Sequence, residues 1–436
     1  MGRATLTDPT VPNSTGTRVP WVVRLRPAVR GAPAIRASSA GLAATLTPMS
    51  SPPHLAHVPM PLAGDGSSVA HVVRALTREH TLAGGRSTVI TSDNREATFP
   101  DADTVPVDYT RHCPRTWFTP AEYRQDWALG ALLRERPHAA RLFEPAAEAL
   151  ARVAPDWVLL HEGHYAVTAL PLLRRTLPSA TRIALHVHNG ISASVRRPEL
   201  SHLLRHADAV IGVSAFMADG VRRRAWVDDA KVTWVHNGAD TTRFHPAAPD
   251  GRRGTEGRLR LLYVGQVAPH KGVDLLLQAL AAMGRHADRF ETRVVGSSEL
   301  RDTAGTNDFE NHLRDLAGHV AGPVSFEPYL PQDQVADLYR WADVVAVPSR
   351  AEPFGMVPLE AMASGALVLA NDAGALPEVL GRVGRLVPPT VAGWVDALTR
   401  VTRSDVTEGR EDAVARARGF TWAASHDALL RALASR

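Results

Sequence analysis

The chain has 436 residues, 44% hydrophobic and 22% charged, which excludes global disorder and supplies apolar material for two cores of ordinary size. Its formal charge of +4 belongs to the start of the chain. Residues 1–50 carry six Arg against the single acid Asp8, leaving 43 basic and 44 acidic residues elsewhere, so the basicity is no argument for a nucleic-acid partner. The lone Cys113 excludes an internal disulfide and a Cys-rich zinc module and favours a reducing, cytoplasmic setting.

Residues 1–50 mix Thr, Pro, Ser, Gly, Ala and Arg without sustained periodicity and read as a disordered leader. They contain no apolar core ahead of a small-residue cleavage site, so a secretory signal is not expected, and Met49 is a candidate alternative start. From His54 the pattern changes. An apolar stretch ends at Pro61, Gly64-Asp65-Gly66 opens a helix over 69–76, and a strand follows over 87–91. Aromatics then gather from Tyr109 through Trp117, Phe118 and Tyr123 to Trp127, which could stack on acceptor rings but more commonly pack a loop. Strands are expected at 157–160, 183–187 and 209–213, with a helix over 168–177.

The stretch 247–257 is rich in turn formers and marks a domain boundary. Beyond it the same grammar restarts, with strands at 259–264, 292–295 and 344–347 and a helix over 273–283. Strands alternating with helices imply parallel sheets, so the expected fold is α/β: two Rossmann-like domains facing a central cleft. The domains are placed at 51–246 and 258–415, with a closing helical segment at 416–436. No run of eighteen apolar residues occurs, so no spanning helix is expected, and peripheral contact with the inner face of the plasma membrane stays open.

The most informative segment runs from Ala346 to Gly365 and reads as strand end, loop and helix, the place where open α/β sheets bind ligands. A helix beginning near Phe354 turns unpaired backbone N–H groups and its positive dipole end toward the crevice, as a diphosphate requires. Gly355 permits close backbone approach. Glu352 precedes the helix and Glu360 lies about two turns along it, roughly 12 Å of rise away. Each carboxylate can accept hydrogen bonds from vicinal hydroxyls, matching the sugar and ribose ends of a nucleotide sugar. The spacing alone fits a helix-cap acid and a solvated helix face better than a site, and it is the context that argues for a site. Lys occurs only at Lys231 and Lys271 in this Arg-rich chain, and Lys271 sits in a second glycine loop, Gly265-Gln266 to Lys271-Gly272.

The whole run 348–365 resembles the E-x7-E signature of family 4 retaining glycosyltransferases, of GT-B fold. The likeness extends over most of 53–436, through Asn237-Gly238-Ala-Asp240 with Phe244, the Gly265 to Gly272 loop, and Asn371 to Gly374 with Pro377-Glu378. It implies a hexosyltransferase using a nucleotide sugar, UDP- or GDP-linked, with no further cofactor. Glu352 would contact the donor sugar, Glu360 the ribose, and the amides of Phe354, Gly355, Met356 and Val357 the sugar and phosphate. Gly265, Gln266 and Lys271 would line the diphosphate, with Lys271 stabilising its departing charge without a metal. The family usually has Arg where this chain has Gln266, an amide that brings no charge. Gly64, Asp65 and Gly66 resemble the acceptor loop, and His188 resembles a histidine that reaches the reacting sugar. The segment 416–436 resembles a helix that crosses back to the first domain. The resemblance implies a same-face displacement in which the departing phosphate takes the acceptor proton, and it leaves a glycan, lipid-linked or small-molecule acceptor open.

His186 and His188 end a strand and point to one side. In His161-Glu162-Gly-His164 the second histidine comes three residues on rather than four, so the helical zinc spacing fails; a metal cluster completed by His186 and His188 is not expected either, and no metal is assigned. Two rivals stand beside the transferase: a GT-B epimerase or hydrolase, which forms product without acceptor, and a non-catalytic sugar-nucleotide-binding protein, which is stabilised by donor without turnover.

Overall fold

A computed structural model describes residues 51–59, 67–93, 98–109, 120–161, 165–191, 195–247, 257–297 and 308–436. The leader 1–50, the acceptor-loop residues Gly64, Asp65 and Gly66, Cys113, Trp117, Phe118, Glu162 and His164 lie outside the described residues.

Thirteen strands form two sheets among the described residues. The first holds β1 (Leu55–Val58), β2 (Ser87–Ser92), β3 (Asp103–Val107), β4 (Trp157–His161), β5 (Arg182–Val187), β6 (Ala209–Gly212) and β7 (Val232–Trp234), in the order β3-β2-β1-β4-β5-β6-β7. The second holds β8 (Leu259–Val264), β9 (Phe290–Val295), β10 (Val324–Glu327), β11 (Val344–Val347), β12 (Leu367–Asn371) and β13 (Arg385–Val387), in the order β10-β9-β8-β11-β12-β13. Every pairing is parallel, so the chain adopts the expected α/β architecture of two parallel sheets.

Central strands are covered on both faces, and their continuous apolar runs made them readable in advance. Trp157–His161 is buried throughout and Arg182–Val187 at all but its first residue. The edge strands β3, β7, β10 and β13 carry mixed residues such as Val-Ser-Phe-Glu and leave no such signature.

Both sheets reverse their order beside the first strand, between β1 and β4 and between β8 and β11. Loops leaving two such neighbours diverge and open a crevice at the carboxyl ends of the strands.

The last helix, Trp422–Ala434, returns to the first sheet. Trp422, Leu429 and Leu433 share one buried cluster with Leu55, Leu76 and Trp157. Burial of each such aliphatic side chain contributes about 1.5–3 kcal/mol. Polar contacts fix the angle: His80 Nδ1 lies 2.9 Å from His426 Nε2, and Ser425 Oγ donates to the His236 carbonyl at 2.6 Å. Ala239 pairs with Thr421 in an isolated parallel bridge, so the segment after β7 is held by the residue that caps the last helix.

Candidate active site

At the reversal of the second sheet, β8 runs into the Gly265 to Gly272 loop and β11 into the loop from Pro348 to Gly355. Gly272 is left-handed, with φ +74°, and a Cβ there would lie 2.0 Å from the Pro348 carbonyl oxygen. The two loops therefore meet backbone to backbone, which only glycine permits. Arg350 N donates to the His270 carbonyl at 2.8 Å, and the Arg350 guanidinium grips both oxygens of Asp274 at 2.8 and 2.7 Å. This planar two-point contact locks direction as well as distance.

A third loop, after β12, holds the same segment from behind. Asn371 Nδ2 donates to the carbonyls of Pro348 and Ser349 at 2.6 and 3.1 Å, while its Oδ1 accepts from Trp394 Nε1 at 2.7 Å. Gly374, at φ +60°, would bring a Cβ to 2.3 Å of the Glu352 carbonyl oxygen, and the neighbouring Ala375 amide donates to that oxygen at 2.9 Å.

The consequence is an ion pair. Lys271 Nζ lies 2.9 Å from Glu352 Oε2, with the side chains 26% and 13% exposed. Both come from loops that the sequence treats separately, and the sheet reversal joins them.

The helix after this loop is Met356–Ala363, starting beyond the expected Phe354. Gly355 caps it in a left-handed conformation, φ +112°, and Phe354 turns inward to pack beside His236 and Phe420, ring centroids 5.8 and 6.1 Å away. The amides of Gly355, Met356 and Val357 have no intrahelical acceptor, and Pro358 has no amide to offer, so three donors head the helix.

Glu360, further along the same helix, is buried and accepts a hydrogen bond from the Tyr339 hydroxyl at 3.1 Å. Burial pushes its carboxyl up to about 7, against the lowering influence of Tyr339 and Arg243. Tyr339 lies on the helix Gln332–Trp341, where no motif marks it. Gln266 carries a backbone role: its carbonyl accepts from the Tyr263 hydroxyl at 2.8 Å and from the Ala268 amide at 3.0 Å.

The first half of the chain reaches this loop directly. Ser214 caps the helix Ala215–Arg224 and donates through Oγ to the Pro353 carbonyl at 2.6 Å. Glu378 accepts from the amides of Ala215 and Phe216 at 2.8 and 3.3 Å and pairs with His236 Nε2 at 2.5 Å. Burial alone would raise its carboxyl, but His236 and the two amides hold it below the ordinary range. Glu378, visible in the sequence only as part of a motif, is thus a cross-brace between the halves.

His188 follows β5 on the first sheet, and its contacts are other histidines. His188 Nε2 lies 2.9 Å from His161 Nδ1, and His161 Nε2 lies 2.9 Å from His57 Nδ1. Burial, reinforced by the neighbouring imidazoles, pushes His161 and His188 well below the ordinary histidine value, so both rings are neutral. His186 adjoins them, and nitrogens of His161, His186 and His188 lie within 4.8 Å of one another. The sequence spacing argued against such a group, but strand register assembles it: His161 stands opposite His186 on β4 and β5.

The chain matches known proteins in sequence and in fold. The family described as Glycosyltransferase Family 4 matches residues 68–243, and Glycosyl transferases group 1 matches 258–404. The D-inositol 3-phosphate glycosyltransferase of Nocardia farcinica is 31% identical over 310 residues, 64% of this chain and 67% of the relative. That of Streptomyces scabiei is 32% identical over 253 residues, 53% of this chain and 55% of the relative. The chain spans 50 to 64% of the length of the Streptomyces scabiei, Actinosynnema mirum and Corynebacterium glutamicum relatives.

Among solved structures, sucrose-phosphate synthase from Thermosynechococcus elongatus superposes with a TM-score of 0.66 at 22% identity, covering 87% of this chain and 98% of that one. Anabaena HepE in complex with UDP and glucose gives 0.64 at 18%, covering 88% and 100%. These likenesses concern the fold. With one family match on each sheet and a relative above 30% identity spanned over two-thirds of its length, the chain belongs to glycosyltransferase family 4 and has the GT-B fold.

Proposed function

We propose that the protein transfers a hexosyl unit from a nucleotide sugar to an acceptor hydroxyl, with retention at the anomeric carbon. The observation that carries this reading is the Lys271–Glu352 pair beside the three amides that head the helix Met356–Ala363.

Without donor, each of the two charges neutralises the other. An arriving diphosphate competes for Lys271 and adds the helix N-terminus as a second positive pole. Glu352 is then released to accept hydrogen bonds from the sugar hydroxyls, and the buried Glu360 accepts those of the ribose. The bond from the anomeric carbon to the phosphate oxygen breaks as the bond to the acceptor oxygen forms, and the departing phosphate takes the acceptor proton. Lys271 stabilises the charge that develops on that phosphate. Residues 258–415 carry the donor in this reading, and 51–246, with Gly64, Asp65, Gly66 and His188, carry the acceptor.

UDP is the first donor nucleotide to test, because HepE structures hold UDP and UDP-glucose. D-inositol 3-phosphate is the first acceptor, because the relatives are named for it. A thermal-shift screen of UDP-, GDP-, ADP- and dTDP-sugars, followed by a mass-spectrometric acceptor search, tests the reading. Stabilisation by one donor and a glycosylated product are expected, and Glu352→Gln should abolish product formation. Full product formation by Glu352→Gln with unchanged donor affinity removes Glu352 from the site. Product formed without acceptor marks an epimerase or hydrolase, and stabilisation without turnover marks a binding protein.

A further inference from the structure

The histidine group on the first sheet has more order than packing requires. Parallel register sets His161 on β4 opposite His186 on β5, and His188, two residues beyond His186, points to the same face. Ring centroids lie 5.1 Å apart for His161 and His186, 5.2 Å for His161 and His188, and 4.3 Å for His186 and His188. The three are 1%, 1% and 7% exposed, and neither ring nitrogen of His186 has a hydrogen-bond partner. An unsatisfied buried polar atom costs about 1–3 kcal/mol. Two on one ring, beside two further imidazoles, call for an occupant that accepts nitrogen lone pairs.

We propose that His161, His186 and His188 form a three-imidazole site for a divalent first-row transition metal of the zinc class. Calcium and magnesium take oxygen ligands, whereas imidazole suits zinc, copper and nickel. Zinc–nitrogen bonds of 2.0–2.1 Å at tetrahedral angles set the ligand nitrogens roughly 3.4 Å apart. His161 Nδ1 and His188 Nε2 already stand at 2.9 Å, and all three residues offer nitrogens within 4.8 Å, so modest rotation of the rings closes the site.

Protons balance without any net loss. Each neutral imidazole keeps one proton on the nitrogen facing away from the ion: Nε2 for His161 and Nδ1 for His188. The His161 proton then points at His57 Nδ1, 2.9 Å away, which makes His57 the outer partner that orients a metal-bound histidine. The ion would lie at the carboxyl ends of β4 and β5 and fix the ring of His188. His188 also belongs to the proposed acceptor side, but this site stands on the histidine geometry alone, and its test does not depend on turnover.

The full chain, stripped with a chelator and dialysed against zinc chloride, should retain one zinc per chain by elemental analysis. Cobalt loaded instead should give the visible absorption of a nitrogen-ligated, four-coordinate ion. His186→Ala should lower zinc affinity at least ~100-fold and His57→Ala roughly 10–100-fold, while the exposed His319→Ala leaves it unchanged. Wild-type protein that keeps substoichiometric zinc overturns the proposal, whether or not the variants fold. Zinc uptake that survives both His186→Ala and His161→Ala places the ion elsewhere and overturns it as well.

Discussion

The proposed ribose contact of Glu360 sets binding against stability in a way that pH can expose. Its carboxyl is buried against the Tyr339 hydroxyl of the helix Gln332–Trp341, and burial raises it from 4.5 to about 7. Between those values the folded protein holds a proton that the unfolded chain has released, so stability falls as pH rises from 4.5 and levels off above about 7. At about 1.4 kcal/mol per pH unit the full penalty is roughly 3 kcal/mol. Glu360→Gln removes the titration while leaving an amide oxygen for the Tyr339 hydroxyl. Urea unfolding of both proteins from pH 4.5 to 8.5 should show no difference at the acid end and a gain of roughly 3 kcal/mol for Gln at the alkaline end. UDP affinity, measured by calorimetry, should move the other way. The variant should bind more weakly at pH 8.5, where the wild-type carboxylate can accept from both ribose hydroxyls, and equally at pH 5.5, where it is protonated. A stability difference that does not change with pH would refute the assignment of burial as the cause.

Two further perturbations test the loops that meet at the second sheet's reversal. Gly272→Ala places a Cβ 2.0 Å from the Pro348 carbonyl at a φ of +74°. It should cost about 1–3 kcal/mol in backbone strain before any clash is relieved, and lower UDP-induced thermal stabilisation because Lys271 is displaced from Glu352. Unchanged stabilisation by UDP would show that the loop contact does not position the lysine. Lys271→Met should reduce kcat about 10²–10³-fold, the scale for losing one group that stabilises developing charge. Lys271→Arg should not restore it, because the guanidinium fork cannot match a compact ammonium 2.9 Å from Glu352. Steady-state rates with the winning donor decide both.

Much of the framework was legible in the chain itself, and the reason is local. Strands such as Trp157–His161 and Leu259–Val264 are mostly apolar on both faces, as burial on both faces of a parallel sheet favours. Glu352, Gly355 and Lys271 stood out because glycine and acid positions around a helix start carry specific backbone and charge demands. The edge strands were not legible, since solvent on one side relaxes those demands. The helix begins at Met356, two residues past Phe354, whose ring packs beside His236 and Phe420, residues remote in sequence.

The chain's own pattern therefore determined the two parallel sheets, the loop and helix around Glu352, and the isolated lysine opposite it. The tertiary structure alone decided that Lys271 pairs with Glu352, that Tyr339 lies against Glu360, that Glu378 braces the two halves, and that four histidines gather on one sheet face. Each of these depends on sheet order and register, which place residues tens to hundreds of positions apart within 3 or so ångströms. Local propensity carries no record of that neighbourhood, because the partners come together only when the strands pair.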